Sequence, residues 1–134
     1  MASAASSSTD RDTDERRVIL MVEDEVIIRS VMAEYLRDCG FIVIEAANAA
    51  EAIAVLSTQT MIDLVFSDIT MPGEMDGLGL ARWVRERHAD IPVLMTSGAA
   101  IVPDGPDLIS RMPFVRKPYL LEEIEDRIRQ LLGD

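Results

Sequence analysis

Five short apolar runs punctuate this chain of 134 residues, and polar groups with chemical potential stand directly after four of them. Val18–Val22 is followed by Glu23, Asp24 and Glu25, and Leu64–Phe66 by Ser67 and Asp68. Pro92–Met95 leads into Thr96, Ser97 and Gly98, and Met112–Val115 into Arg116, Lys117 and Pro118. Three of these positions supply oxygen and the last supplies a fixed cation. If the first and third runs are neighbouring strands, Glu23, Asp24 and Asp68 converge. Two unit charges about 4 Å apart repel by roughly 4 kcal/mol at an effective dielectric of about 20. Three carboxylates therefore need compensation by protons, a cation or a base. Hard oxygen donors without imidazole or thiolate select magnesium over zinc. Magnesium usually binds through one or two carboxylates plus waters and phosphate oxygens, so such a pocket suits a phosphoryl group.

The apolar runs, which include Phe41–Ile44, are unbroken by polar alternation and suit strands buried on both faces of a parallel sheet. Helical spacing fills the intervals. Ile28, Val31, Met32, Tyr35 and Leu36 form one stripe, stopped by Gly40. Asn48, with Glu51 three residues on, caps Ala49–Leu56. Asp76 precedes a third pattern through Gly77, Leu80, Ala81 and Val84. Leu121, Ile124, Ile128, Leu131 and Leu132 make the last, closed by Gly133. Alternating strands and helices predict an α/β fold with right-handed crossovers. Ligands of such sheets bind beyond the carboxyl ends of the strands, where all the polar groups above lie. Gly98–Arg111 breaks the alternation: Pro103, Gly105 and Pro106 leave room for one or two helical turns.

Length and composition narrow the function further. The chain suffices for one domain. Acids number 24 against 13 lysines and arginines, a formal charge of −11. Residues 1–17 hold four acids and three bases, leaving 20 and 10 to the remainder, so the excess belongs to the folded part. No basic cluster offers a footing for DNA or anionic lipid. The single cysteine, Cys39, fits a reducing compartment and a small apolar role near a helix end. No run approaches a membrane span, and the first residues lack the features of a signal peptide. The expectation is a cytoplasmic, unanchored protein with a disordered tail over 1–17 and one domain over 18–134.

Five segments in order carry a family resemblance. Val22-Glu23-Asp24-Glu25, Val65-Phe66-Ser67-Asp68-Ile69-Thr70-Met71-Pro72, Asp76-Gly77, Met95-Thr96-Ser97-Gly98 and Phe114-Val115-Arg116-Lys117-Pro118-Tyr119 resemble the receiver domain of two-component response regulators. The likeness runs from about Val18 to Leu132. It implies a doubly wound, five-stranded parallel sheet of flavodoxin-like order 2-1-3-4-5, with a short or irregular helix where the family places its fourth.

The resemblance implies roles residue by residue. Asp68 matches the aspartate that accepts a phosphoryl group from phosphohistidine. Glu23 and Asp24 match the acidic pair that holds Mg2+, with Asp68 and the backbone carbonyl of Thr70 completing the protein ligands. Lys117 pairs with a phosphoryl oxygen, Ser97 is the switch hydroxyl, and Phe114 is the aromatic that changes rotamer. Thr96 beside Ser97 leaves the switch hydroxyl open between the two. Thr70 and Ala99 match positions lining the approach of hydrolytic water. Lys117-Pro118 is implied to be a cis peptide. The implied partners are a sensor histidine kinase or a histidine phosphotransfer protein and an unidentified downstream protein, with no DNA and no membrane. The chain then acts as a stand-alone regulator, and its only enzymatic acts are on its own aspartyl phosphate.

Other readings of the same residues are plainer. Glu25 is a helix-start acid and Asp76 an N-cap. Asp63 lies at the wrong end of its strand for chemistry. His88 sits at a helix end, Trp83 lies off its stripe and partly buried, and the eight methionines fill the core. Competing functions are a degenerate receiver serving only as an interaction module, a phosphatase of the haloacid-dehalogenase type and a flavodoxin-like electron carrier. The phosphatase wants aspartate where Thr70 stands. The carrier wants a phosphate-binding loop where Glu23-Asp24-Glu25 would repel phosphate.

Overall fold

A computed structural model describes residues 16–97 and 113–133. The strands are β1 (Val18–Val22), β2 (Ile42–Ala46), β3 (Leu64–Asp68), β4 (Val93–Ser97) and β5 (Phe114–Arg116). The helices are α1 (Val26–Asp38), α2 (Ala49–Leu56), α3 (Gly77–Arg87) and α4 (Leu121–Leu132). All pairings are parallel, in the order β2-β1-β3-β4-β5, as the resemblance implied. The expectations for the tail before Arg16 and for an irregular helix in Gly98–Arg111 lie outside the described residues. No helix among the described residues is long and apolar enough to cross a membrane.

Side chains alternate across the pleat, which divides the core into two layers. Ile19, Met21, Leu64, Phe66 and Leu94 pack with Met32, Leu36, Ile124 and Ile128 beneath α1 and α4. Leu20, Val22, Val65, Val93 and Met95 pack on the opposite face with Ala52, Leu56, Leu80 and Val84 of α2 and α3. Burying each such aliphatic side chain contributes about 1.5–3 kcal/mol. β3 has neighbours on both sides and helices on both faces, and all five of its residues are buried. That explains its unbroken apolar start.

The strands extend further toward their carboxyl ends than apolarity alone predicts. β3 runs through Ser67 and Asp68, and β4 through Thr96 and Ser97. Apolarity marks where a strand is covered by helices, whereas its hydrogen-bond ladder continues through polar residues at the rim. In α1 the stripe turns out narrower than expected. Met32, Ala33 and Leu36 are buried, Ile28 and Tyr35 are half-buried, and Val31 is exposed. Helical spacing could not choose among Val26, Ile27, Ile28 and Val31, because apolar residues occupy more than one face of this helix.

Capping follows the sequence closely. Asn48 Oδ1 accepts from the Glu51 amide at 2.9 Å while Glu51 Oε1 accepts from the Ala47 amide at 2.7 Å. Asp76 Oδ1 accepts from the Gly79 amide at 2.9 Å. Gly40 leaves α1 with φ 104°, a conformation that only glycine adopts without strain. Cys39 is the C-cap of α1 and is only partly buried.

Candidate functional site

The carboxyl ends of β1, β3, β4 and β5 lie side by side, and register fixes what meets there. Asp68 pairs with Thr96 across β3 and β4, and Ser97 with Arg116 across β4 and β5. One step past β5, Lys117 reaches back over the sheet and its Nζ donates to Asp68 Oδ2 at 2.7 Å. The two residues are 49 apart in sequence. The peptide bond that follows, Lys117-Pro118, is cis. Asp68 is 9% exposed, and its Oδ1 accepts from the Thr70 amide at 3.2 Å as the chain turns over the strand end. A charge-assisted contact of this kind is stronger than a neutral hydrogen bond and less screened than an exposed ion pair.

Glu23 is the second buried acid, 5% exposed. Its amide continues the ladder by donating to the Ala46 carbonyl at 3.0 Å, and its Oε2 accepts from the Glu25 amide at 3.0 Å. Glu23 itself, rather than Glu25, thus caps the start of α1, where the Glu25 side chain makes no capping bond. Burial pushes the Glu23 carboxyl above its ordinary value, and the Asp68 charge adds to this. The Glu25 amide and Lys117 oppose it. Lys117 is held above its ordinary value despite burial that would lower it, because the hydrogen bond to Asp68 and the charge on Asp68 outweigh desolvation.

The remaining sequence-predicted residues take varied places. Asp24 is exposed at the tip of the β1 turn. Thr70 is exposed, with its amide on Asp68. Thr96 is buried at 2%, and its carbonyl accepts from the Ile69 amide at 2.8 Å. Ser97 ends β4, but its side chain lies outside the described residues, as do Ala99 and Met112. Phe114 is half-buried against the layer under α2 and α3. The charges of Asp68, Lys117 and Asp24 all act on the Glu23 carboxyl, so these groups lie near one another at the strand ends, with Asp24 exposed. Among the described residues no three acidic, histidine or cysteine side chains gather into a metal-binding group.

Two buried carboxylates facing a single ammonium leave negative charge uncompensated, and their donors are all hard oxygen. Magnesium asks for one or two carboxylates and keeps its waters, so this donor set fits it without a closed cage. Glu23, Asp24 and Asp68, with the Thr70 carbonyl, are the groups that would hold it.

Gly77, noted in sequence as part of a motif and of the third helical pattern, has a steric role. Its amide donates to the Ile69 carbonyl at 2.8 Å. A Cβ there would collide with the Asp68 carbonyl oxygen and come within 2.7 Å of the Ile69 Cα. Glycine thus lets the start of α3 press against the chain immediately after Asp68. A glycine at the first helical position was the available signal. An open depression of about 450 Å³ beside the site is lined by Ile28, Lys117, Pro118 and Tyr119. The Tyr119 hydroxyl donates to Met32 Sδ at 3.3 Å. Burial holds that phenol above its ordinary value against the opposing charge of Lys117.

Comparison with known proteins matches residues 19–129 to the response regulator receiver domain. The chain is 34% identical over 126 residues to the probable transcriptional regulator ycf27 of Guillardia theta, covering 92% of this chain and 48% of that protein. It is 33% identical over 117 residues to the sensor kinase CckA of Brucella abortus, covering 85% of this chain and 12% of that protein. The chain thus spans about half, or much less, of these curated relatives. Among solved structures, a response regulator receiver protein from Sinorhizobium medicae superposes with TM-score 0.77 at 30% identity, covering 89% of this chain and 96% of that one. The receiver domain of the hybrid histidine kinase CckA gives TM-score 0.70 at 36% identity, covering 86% and 98%. Receiver domains are phosphorylated signalling modules that interact with histidine kinases or phosphotransfer proteins. By the extent of the match and the order of its strands, this chain belongs to the response regulator receiver domain family.

Proposed function

We propose that Asp68 accepts a phosphoryl group from the phosphohistidine of a sensor kinase or phosphotransfer protein, in the cytoplasm, and that the resulting acyl phosphate controls binding to a further protein or passes onward. The observation that carries this reading is the 2.7 Å contact between Lys117 Nζ and a buried Asp68 beside a second buried acid, at the carboxyl end of the sheet. A carboxylate oxygen of Asp68 attacks phosphorus in line. The P–N bond breaks, and its electron pair stays on the donor imidazole, which takes up a proton. Lys117 already lies on the carboxylate, so its ammonium is positioned to follow negative charge onto the phosphoryl oxygens with little reorganisation. Magnesium, when bound, supplies further neutralisation of those oxygens.

The product adds close to two negative charges. Ser97 is the hydroxyl proposed to answer them, and movement of Ser97 would open space for Phe114 to turn inward. Thr96 competes less well for this role, being buried in register beside Asp68.

The donor's approach is also marked. Val26, Ile27 and Val31 on α1 and Leu120 before α4 are large apolar residues between 51% and 77% exposed. Ile28, next to Ile27 in the chain, and Tyr119, next to Leu120, line the depression beside the site together with Lys117 and Pro118. A phosphohistidine must be carried to Asp68 on a protein surface, and this apolar rim is the face that surface would cover. The match to a receiver within a sensor kinase supports a histidine-based donor.

Incubation with magnesium and a small-molecule amidophosphate tests the assignment. Intact mass should rise by one phosphoryl group, and Asp68→Asn should abolish the gain. Undiminished uptake by the variant would overturn Asp68 as acceptor.

A further inference from the structure

The turn carrying Glu23 and Asp24 is held by one side chain from outside the acidic pocket. Arg29, one turn into α1, donates from Nη1 to the Glu23 carbonyl at 2.8 Å. Its Nε donates to Glu45 Oε1 on β2 at 3.2 Å, and its own amide bonds the Glu25 carbonyl at 2.9 Å. The Arg29 side chain is 18% exposed. Glu45 is held in turn by Arg37, whose Nη1 lies 3.2 Å from Glu45 Oε2 while its Nη2 donates to the Val43 carbonyl at 2.8 Å. A cationic brace therefore runs from β2 through α1 to the main chain of the first acidic residue.

We propose that Arg29 is a positioning residue for the magnesium site: it fixes the Glu23–Asp24 main chain, while Glu45 holds its charge away from the carboxylates. This rests on the function proposed above. Two like charges on adjacent residues favour spreading of the turn that carries them. A bond to the carbonyl between them resists that spreading without adding a cation to the pocket. Glu45 is the necessary complement, because an unpaired guanidinium this close would fold onto Asp24 or Glu23 and compete with the metal ion. Groups that orient metal ligands from behind commonly alter metal affinity by about 10- to 100-fold when removed. Arg29 acts through main chain, so the lower end is expected.

Magnesium titration of the unphosphorylated protein, followed through the backbone amides of Glu25, Asp68 and Thr70, tests this alongside thermal unfolding. Arg29→Gln should weaken magnesium binding by about tenfold. In metal-free protein it should also speed hydrogen exchange at the Glu25 amide, a readout independent of activity. Arg29→Lys should recover part of the affinity, since an ammonium can keep one of the two bonds. Arg37→Gln, which breaks the outer end of the brace, should lower Tm yet leave magnesium affinity at the wild-type value. Wild-type affinity in Arg29→Gln, or an equal loss in Arg37→Gln, would overturn the positioning role while leaving Asp68 chemistry intact. Wild-type amides that ignore magnesium would instead overturn the proposed function, and this inference with it.

Discussion

β3 has an aspartate at each end, and the two contrast a structural acid with the one proposed to accept a phosphoryl group. Asp63, just before the strand, accepts from the Val18 amide at 2.7 Å and lies 4.0 Å from Arg17. Asp68, at the other end, bonds Lys117 and the Thr70 amide. Their side chains are comparably buried, at 13% and 10% exposure. Burial and a cationic partner therefore do not distinguish them. The difference is a second buried acid: Asp90, which lines a depression with Asp63, is exposed, whereas Glu23 is buried. Glu23 lies near Asp68, so the negative charge there exceeds what one ammonium balances, whereas the Asp63 carboxylate closes the ladder at the start of β1. On the function proposed above, the acceptor is the carboxylate left under-compensated by its surroundings.

The sharpest way to break this comparison is to disrupt the ion pair at each end. Lys117→Ala should slow phosphoryl uptake by about 100- to 1000-fold, the usual cost of losing one preorganised charge-stabilising donor. Asp63→Asn should leave uptake near wild type and cost about 1–3 kcal/mol of stability through the weakened bond to Val18. Time-resolved intact mass and urea unfolding measure the two. Equal rate losses in both variants would erase the distinction.

A smaller effect is expected from Gly77→Ala. The added methyl meets the Asp68 carbonyl and Ile69, both main chain, so relief requires α3 to move off the strand. Overpacking of this kind costs about 1–3 kcal/mol. The accompanying displacement of the segment after Asp68 should slow uptake as well, which no substitution near Asp63 should do.

Smallest is the pH dependence of metal-free stability. The folded Glu23 carboxyl lies above its unfolded value, mainly through burial, so the folded state keeps that proton to higher pH. Its ionisation penalty is full above the folded value and is relieved as pH falls through it. Wild type should therefore gain stability relative to Glu23→Gln on acidification through that window, and saturating magnesium should flatten the difference. Parallel curves without metal would count against a pocket that disfavours the Glu23 charge.

Much of this was legible in sequence because it depends on local signals. Apolar runs located the strands, cap residues such as Asn48 and Asp76 located helix starts, and polar residues beyond the runs located Glu23, Asp68 and Lys117. Less legible were features created by non-local packing. The exposed Val31 looked like core, because periodicity shows which residues share a face and says nothing of which face is covered. The grip of Arg29 on Glu23 was invisible, since an arginine in a helix near an acid-rich turn is common. The capping of α1 by Glu23 was likewise hidden by Glu25, the residue at the conventional position. Expectations for residues 1–15 and 98–112 concern segments beyond those described.

The placement of the site across strands of unequal anchorage has a mechanical consequence. Asp68 ends the central strand, clasped on either side, whereas Lys117 follows the three-residue β5 at the sheet's margin. The acid is anchored in the interior of the sheet, and its counter-ion follows the shortest of the five strands, at an edge. On the function proposed above, a change in the size or charge of the central group would be absorbed outward, toward β5 and the start of α4, so that the periphery would report what the centre carries.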